Sequence, residues 1–161
     1  MPLTLHIVRH AKASTQDYFP GDFYRTLDKD GYAEAAAMAD WFAGEHTRPE
    51  LMITSPAIRA YTTCLIFAEK LSYAYNQVVL NNSVYEAPYQ KLLRVIQEQK
   101  DNFLTVALFG HNPGITDLIN HLCGPVVHNL ATAGVITIEM DINSWQEATA
   151  ASGKIIASAK P

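Results

Sequence analysis

Cysteine and positive charge are both scarce in this chain. The two cysteines, Cys64 and Cys123, stand far apart with no metal-ligand spacing, which excludes a disulfide framework and a zinc ribbon. Neither sits in the anion-cradling loop, with an arginine a few residues on, that a thiol nucleophile of phosphate chemistry requires, so both read as small buried apolar side chains. Lysine and arginine number 12 against 16 acidic residues, a net charge of -4. The molecule therefore lacks the basic field of a general nucleic-acid or membrane-surface binder, and any anion site must be built locally. No apolar run approaches the roughly 20 residues of a membrane span. The opening Met1-Pro2-Leu3-Thr4-Leu5 lacks the basic start of a signal peptide, so a reducing, cytoplasmic setting is expected. Internal repeats, low-complexity stretches and Pro/Gly linkers are missing too, which leaves residues 1–161 as a single expected domain.

What is present is apolar material in short, regularly spaced runs, with 48% hydrophobic residues against 17% charged. Leu3 to Val8 reads as a buried strand ending in Arg9-His10, and Leu51 to Thr54 as a second, stopped by Ser55-Pro56. Phe103 to Phe109 is the clearest buried strand and ends in Gly110-His111-Asn112-Pro113-Gly114. Helical spacing covers Leu27 to Phe42, Pro56 to Leu71, Pro88 to Lys100 and a segment from Pro113 to Gly124. Asn76 to Tyr85 is ambiguous between strand and loop, while Val135 to Met140 and a weaker Ile155 to Ala157 read as strands. The alternation implies an α/β fold, a three-layer α/β/α sandwich on a mostly parallel mixed sheet.

Two of these strands end in a polar pair, Arg9-His10 and His111-Asn112, and the helix-opening segment Ser55-Pro56-Ala57-Ile58-Arg59-Ala60 adds a further cation. If the strands are neighbours, two arginines and two histidines meet at the sheet edge where α/β folds bind ligands. No carboxylate partners them within these motifs, so the cluster calls for an anion. Phosphate suits it, because guanidinium forks match its oxygens and a neutral imidazole can attack phosphorus in line. Such chemistry also wants a carboxylic acid to protonate the leaving atom. A metal site is disfavoured: in a strand His6 and His10 lie roughly 13 Å apart, too far to chelate one ion. His46, His121 and His128 have no supporting spacing and read as surface or satisfied polar residues. Trp41, Trp145 and the tyrosines, with no basic patch beside them, read as packing residues.

Leu5-His6-Ile7-Val8-Arg9-His10-Ala11-Lys12-Ala13-Ser14 resembles the signature of the histidine phosphatase superfamily (phosphoglycerate mutase-like) in its SixA-like form, with Ala after the histidine in place of Gly. Further matches follow in family order. They are Asp22 with Arg25, Leu27 and Gly31; Ser55 to Ala60 with Thr62; Leu80 to Ala87 around Tyr85-Glu86; Gly110 to Gly114; and Thr132-Ala133-Gly134. The resemblance implies that His10 is the nucleophile, that Arg9, Arg59 and His111 bind the phosphoryl group, with His111 protonated or donating, and that Glu86 is the general acid. Arg25, followed by Thr26 where the family has proline, lies near the mouth in that reading, and Ser14 by its hydroxyl and Asn112 by side chain or backbone N–H line the pocket. Seen alone, Glu86 equally suits an exposed loop carboxylate and His111 a helix cap.

The function implied is a metal-independent phosphatase working through a phosphohistidine intermediate, without cofactor. Its partner would be a phosphohistidine-bearing protein, since a short chain leaves little room for a lid. A small-molecule phosphomonoester phosphatase and a non-catalytic phosphate-binding module remain the alternatives. No nucleic acid or membrane partner is expected.

Overall fold

A computed structural model of the chain describes residues 2–15 and 21–161. The apolar runs become β1 (Leu3–Arg9), β2 (Leu51–Thr54) and β4 (Thr105–Gly110), with a two-residue β3 (Val79–Leu80) at one edge. With β5 (Val135–Met140) and β6 (Gly153–Ala159) they form a six-stranded sheet in the order β3-β2-β4-β1-β5-β6. Neighbours from β3 to β1 are parallel, while β5 runs antiparallel to both β1 and β6. The expected mostly parallel mixed sheet is therefore present.

Both faces of the central strands are apolar because both are covered. On β1 and β4 the residues Leu5, Ile7, Val106 and Leu108 face a core shared with α3 (Tyr89–Gln97) and α4 (Gly114–Cys123), through Leu92, Ile96, Ile115 and Ile119. Val8, Ala107 and Phe109 face the opposite core with α1 (Lys29–Glu45) and α2 (Ile58–Lys70), through Met38, Phe42, Cys64 and Phe67. Burial of each such large side chain contributes about 1.5–3 kcal/mol, so alternate positions along one strand bind the sheet to different helix layers. Trp145 is fully buried, and its indole Nε1 donates to the Phe103 carbonyl at 2.7 Å. Cys64 is buried and its thiol pKa is pushed up by burial; Cys123, expected buried, is only partly so because it lies at the end of α4.

The register decides where the site lies. Arg9 pairs with Gly110 and Thr54 with Phe109, so β1, β4 and β2 end nearly level. The residues just beyond them, His10, His111 and Ser55, share one edge of the sheet.

Element ends moved where capping overrode periodicity. The first helix starts at Lys29, not Leu27, because the Asp28 carboxylate accepts from the Gly31 N–H at 2.7 Å. Gly31 is required by proximity: a Cβ there would stand 2.0 Å from the Lys12 carbonyl oxygen. The ambiguous 76–85 stretch is mostly tight 3-10 turns at Tyr75–Gln77 and Asn82–Val84, since the Asn81 side chain accepts from Ser83 N–H and turns the chain. His6 and His46 form a separate, partly buried group with Phe42; His6 Nδ1 lies 2.8 Å from the Thr137 hydroxyl.

Candidate active site

His10 leaves β1 at its C-terminal end and is locked on several sides. Its backbone N–H donates to the Gly110 carbonyl and its carbonyl accepts from Ala133 N–H. The next N–H, that of Ala11, donates to the Thr63 hydroxyl at 2.9 Å, and Thr63 in turn donates to the Arg59 carbonyl at 2.8 Å. This strand end is thus tied to β4, to the 131–134 turn and to α2 together. The ring Nδ1 lies 2.7 Å from the Ala11 carbonyl oxygen. A carbonyl only accepts, so Nδ1 carries the hydrogen and Nε2 keeps the lone pair. Burial, reinforced by Arg59, Arg9 and Arg25 against the opposing Ala11 bond, lowers the imidazole pKa to about 4. Its neutral, nucleophilic form therefore prevails at neutral pH.

His111 stands beside it, ring centroids 5.2 Å apart. Its Nε2 lies 2.7 Å from the Ser55 hydroxyl oxygen, which also accepts from Ala57 N–H at 3.2 Å. Ser55 can then give its own hydrogen to Nε2, which leaves His111 an Nδ1–H donor while uncharged. Burial, then Arg59 and His10, lower the His111 pKa to about 3, with Asp22 opposing. Of the two expected forms, protonated or donating, this environment favours the neutral donor. The helix-cap reading does not apply to the ring, because α4 has no side-chain cap bond.

Arg59, in the first turn of α2, is only 3% exposed. Its Nη1 donates to the Asp22 carbonyl oxygen at 2.8 Å and its Nη2 to Asp22 Oδ2 at 2.9 Å; Nη2 also lies 3.4 Å from Glu86 Oε1. The motifs themselves hold no carboxylate, but the fold brings two to Arg59 from elsewhere. Asp22 and Glu86 come from segments distant in sequence, which the local motifs could not reveal.

Arg9 donates from Nη1 to the Leu130 carbonyl at 3.0 Å. Among the described residues, the buried side-chain N and O atoms with no hydrogen-bond partner are Arg9 Nε, Arg59 Nε and His111 Nδ1. An unpaired buried donor costs about 1–3 kcal/mol. All three belong to this one cluster, where an anion with several oxygens would satisfy them.

The remaining expected residues have varied placements. Arg25 donates to the Ser14 carbonyl at 2.9 Å and to Asp22 Oδ1 at 3.0 Å, and its charge helps depress His10. Ser14 thus holds Arg25 through its backbone. Asn112 does not offer its amide to the pocket: Nδ2 donates to Asn129 Oδ1 and the Leu130 carbonyl, while Oδ1 accepts from Thr116. It serves the loop that Arg9 leans on. Glu86 adopts φ of 47°, the left-handed region unusual for a residue with a Cβ, beside the cluster. Gly114 makes that placement possible, since a Cβ there would stand 2.0 Å from the Ala87 carbonyl oxygen.

Sequence reasoning gave no site role to Ser55, Thr63, Tyr85 or Asp22. Thr63 follows Arg59 by one helical turn, a usable signal for back-bonding to its carbonyl. The Tyr85 hydroxyl donates to Asp22 Oδ2 at 2.7 Å, and burial followed by that bond raises its pKa to about 12. Burial alone would raise Asp22, but Tyr85, Arg25 and Arg59 together hold it well below the usual carboxylate range. Among the described residues there is no cluster of three or more His, Cys, Asp or Glu able to hold a metal ion, and no helix long and apolar enough to cross a membrane.

The fold has close counterparts. A candidate phosphohistidine phosphatase SixA of Agrobacterium tumefaciens superposes with a TM-score of 0.85 at 24% identity, covering 100% of this chain and 99% of the other. A protein histidine phosphatase SixA complexed with tungstate gives 0.84 at 19% identity, over 99% and 97% of the chains. A mycobacterial glucosyl-3-phosphoglycerate phosphatase gives 0.73 at 14% identity, over 98% of each. These likenesses establish the fold. In sequence, an uncharacterized chloroplastic protein of Arabidopsis thaliana is 27% identical over 162 residues, spanning 92% of this chain and 72% of that protein. The model of the histidine phosphatase superfamily (branch 1) matches residues 5–89, which include Arg9, His10, Arg59 and Glu86, so the chain belongs to that superfamily and is a phosphatase-type hydrolase.

Proposed function

We propose that this chain, acting as a single domain, is a protein phosphohistidine phosphatase in which His10 is the nucleophile. The observation that carries the reading is the His10 ring itself: its Nδ1 is committed to the Ala11 carbonyl, leaving Nε2 with its lone pair among cations. The three unpartnered nitrogens of Arg9, Arg59 and His111 support a phosphoryl group held against it.

In this mechanism Nε2 attacks phosphorus in line as the bond to the leaving nitrogen breaks. Arg9, Arg59 and the Nδ1–H of His111 neutralise the equatorial oxygens, which is where most of the catalysis resides. Glu86 gives a proton to the leaving imidazole, then takes one from the water that attacks phospho-His10 and releases inorganic phosphate. Because the arginines supply the positive charge, no metal ion is required. Two observations favour a protein substrate: the side chain of Glu86 is 57% exposed, and the two SixA structures are described as a candidate phosphohistidine phosphatase and a protein histidine phosphatase. A cytoplasmic location accompanies this reading.

Single-turnover reaction with a phosphoramidate donor, quenched in alkali, tests it. Wild type should carry an acid-labile, base-stable phosphoryl group that His10→Ala lacks, together with loss of turnover. Unchanged hydrolysis in the variant would refute the mechanism. Efficient hydrolysis of small esters with no activity on any phosphohistidine protein would move the substrate to a metabolite.

A further inference from the structure

Asp22 stands in an odd position for a phosphatase pocket. The most buried cation of the site has both terminal nitrogens filled by this one residue, Nη1 by its carbonyl oxygen at 2.8 Å and Nη2 by its Oδ2 at 2.9 Å. Its carboxylate is held there by two further donors, the Tyr85 hydroxyl at 2.7 Å and Arg25 Nη1 at 3.0 Å. The donors Asp22 leaves unfilled are the nitrogens of Arg9, Arg59 and His111 that have no protein acceptor.

We propose that Asp22 is an intramolecular competitor for the phosphoryl pocket, holding Arg59 in the unliganded enzyme and yielding it to a phosphoryl dianion, so that it sets the charge selectivity of the site. This rests on the phosphoryl-pocket reading above. The Asp22 carboxylate, with one charge and two oxygens, fills Nη2 of Arg59 while the backbone carbonyl takes Nη1, and it leaves Arg59 Nε, Arg9 Nε and His111 Nδ1 without an acceptor. A phosphoryl dianion brings two charges and three oxygens, so it can satisfy those three donors in addition to Nη2. A monoanion, a phosphodiester or a carboxylate, meets a tethered rival of equal charge and gains over it only the donors that its two oxygens reach. Displaced, Asp22 keeps Arg25, its i,i+3 partner on the same short turn. The low pKa of Asp22 means that this rival stays charged throughout the working pH range.

The test is equilibrium binding, which needs no turnover: calorimetric titration of inorganic phosphate and of dimethyl phosphate into wild type, Asp22→Asn, Tyr85→Phe and Glu86→Gln at pH 7.5. Asp22→Asn should bind phosphate about tenfold more tightly, the factor for removing one charge-assisted rival, and should narrow the preference over dimethyl phosphate. Tyr85→Phe, which loosens the carboxylate without changing charge, should shift phosphate affinity in the same direction by about two- to threefold. Glu86→Gln removes an equal charge from a more exposed, longer contact and should tighten binding less than Asp22→Asn. Unchanged or weaker phosphate binding in Asp22→Asn, equal gains in Asp22→Asn and Glu86→Gln, or weaker binding in Tyr85→Phe would each overturn the proposal, as would absence of phosphate binding in every variant. Wild-type phosphate binding with the predicted shifts but no hydrolysis would leave Asp22 a competitor and overturn only the catalytic reading.

Discussion

Arg9 and Asn112 donate to the same oxygen, the carbonyl of Leu130, at 3.0 and 2.9 Å. Arg9 is the last residue of β1 and Asn112 lies two residues beyond the end of β4, so the 129–130 loop is clamped to two adjacent strand ends. Asn112 thereby helps fix the acceptor that orients Arg9.

Asn112→Ala should raise KM for a phosphate ester about tenfold with a smaller change in kcat, because Arg9 keeps its charge but loses a fixed acceptor. Asn112→Ser, with a shorter donor, should recover part of the loss. Steady-state kinetics decide; an unchanged KM in the alanine variant would show that Leu130 holds its place without Asn112.

The His10 and His111 imidazoles should be neutral through the whole physiological range. Burial first, and neighbouring arginines next, depress them to about 4 and about 3 from an ordinary value of 6.5. In an NMR titration of the unliganded protein, both rings should stay uncharged until the pH falls toward those values. Inorganic phosphate should raise both, since the anion offsets the arginine field. Midpoints near 6.5 without ligand would contradict the geometry.

Acid should destabilise the fold before the carboxylates titrate. His6, packed against Phe42 and His46, is lowered to about 3 by burial and by His46. Between that value and the ordinary 6.5 the unfolded chain binds a proton that the folded chain refuses, so stability rises with pH, is complete above about 6.5 and drains away below it. At pH 5 the loss from His6 alone is on the order of 2 kcal/mol, and His10 and His111 add to it. Urea unfolding at stepped pH measures this, and a flat profile from 6.5 to 5 would rule it out.

Much of the site was legible because it sits on strand ends. Buried strands announce themselves as apolar runs, and the first polar residues after them, His10 and His111, have only the sheet edge to occupy. The side-chain partners of Asn112 were not legible: its place at a strand end pointed to the pocket, by side chain or backbone N–H, whereas its side-chain amide bonds a loop that returns from residues 129–130. Glu86 could be placed near the site by family order, but its left-handed backbone and its approach to Arg59 depend on Gly114 admitting the Ala87 carbonyl, a contact between segments.

By itself the amino-acid sequence determined the α/β alternation, the family and the chemical character of the cluster, because these reside in local periodicity and in short motifs whose residues are chain neighbours. The tertiary structure alone decided which carboxylate meets Arg59, which tautomer His10 adopts and how Ser55 turns His111 into an uncharged donor. Those outcomes depend on distances of about 3 Å between groups from separate segments, and hydrogen bonds are too short-ranged and directional for spacing along a chain to specify them.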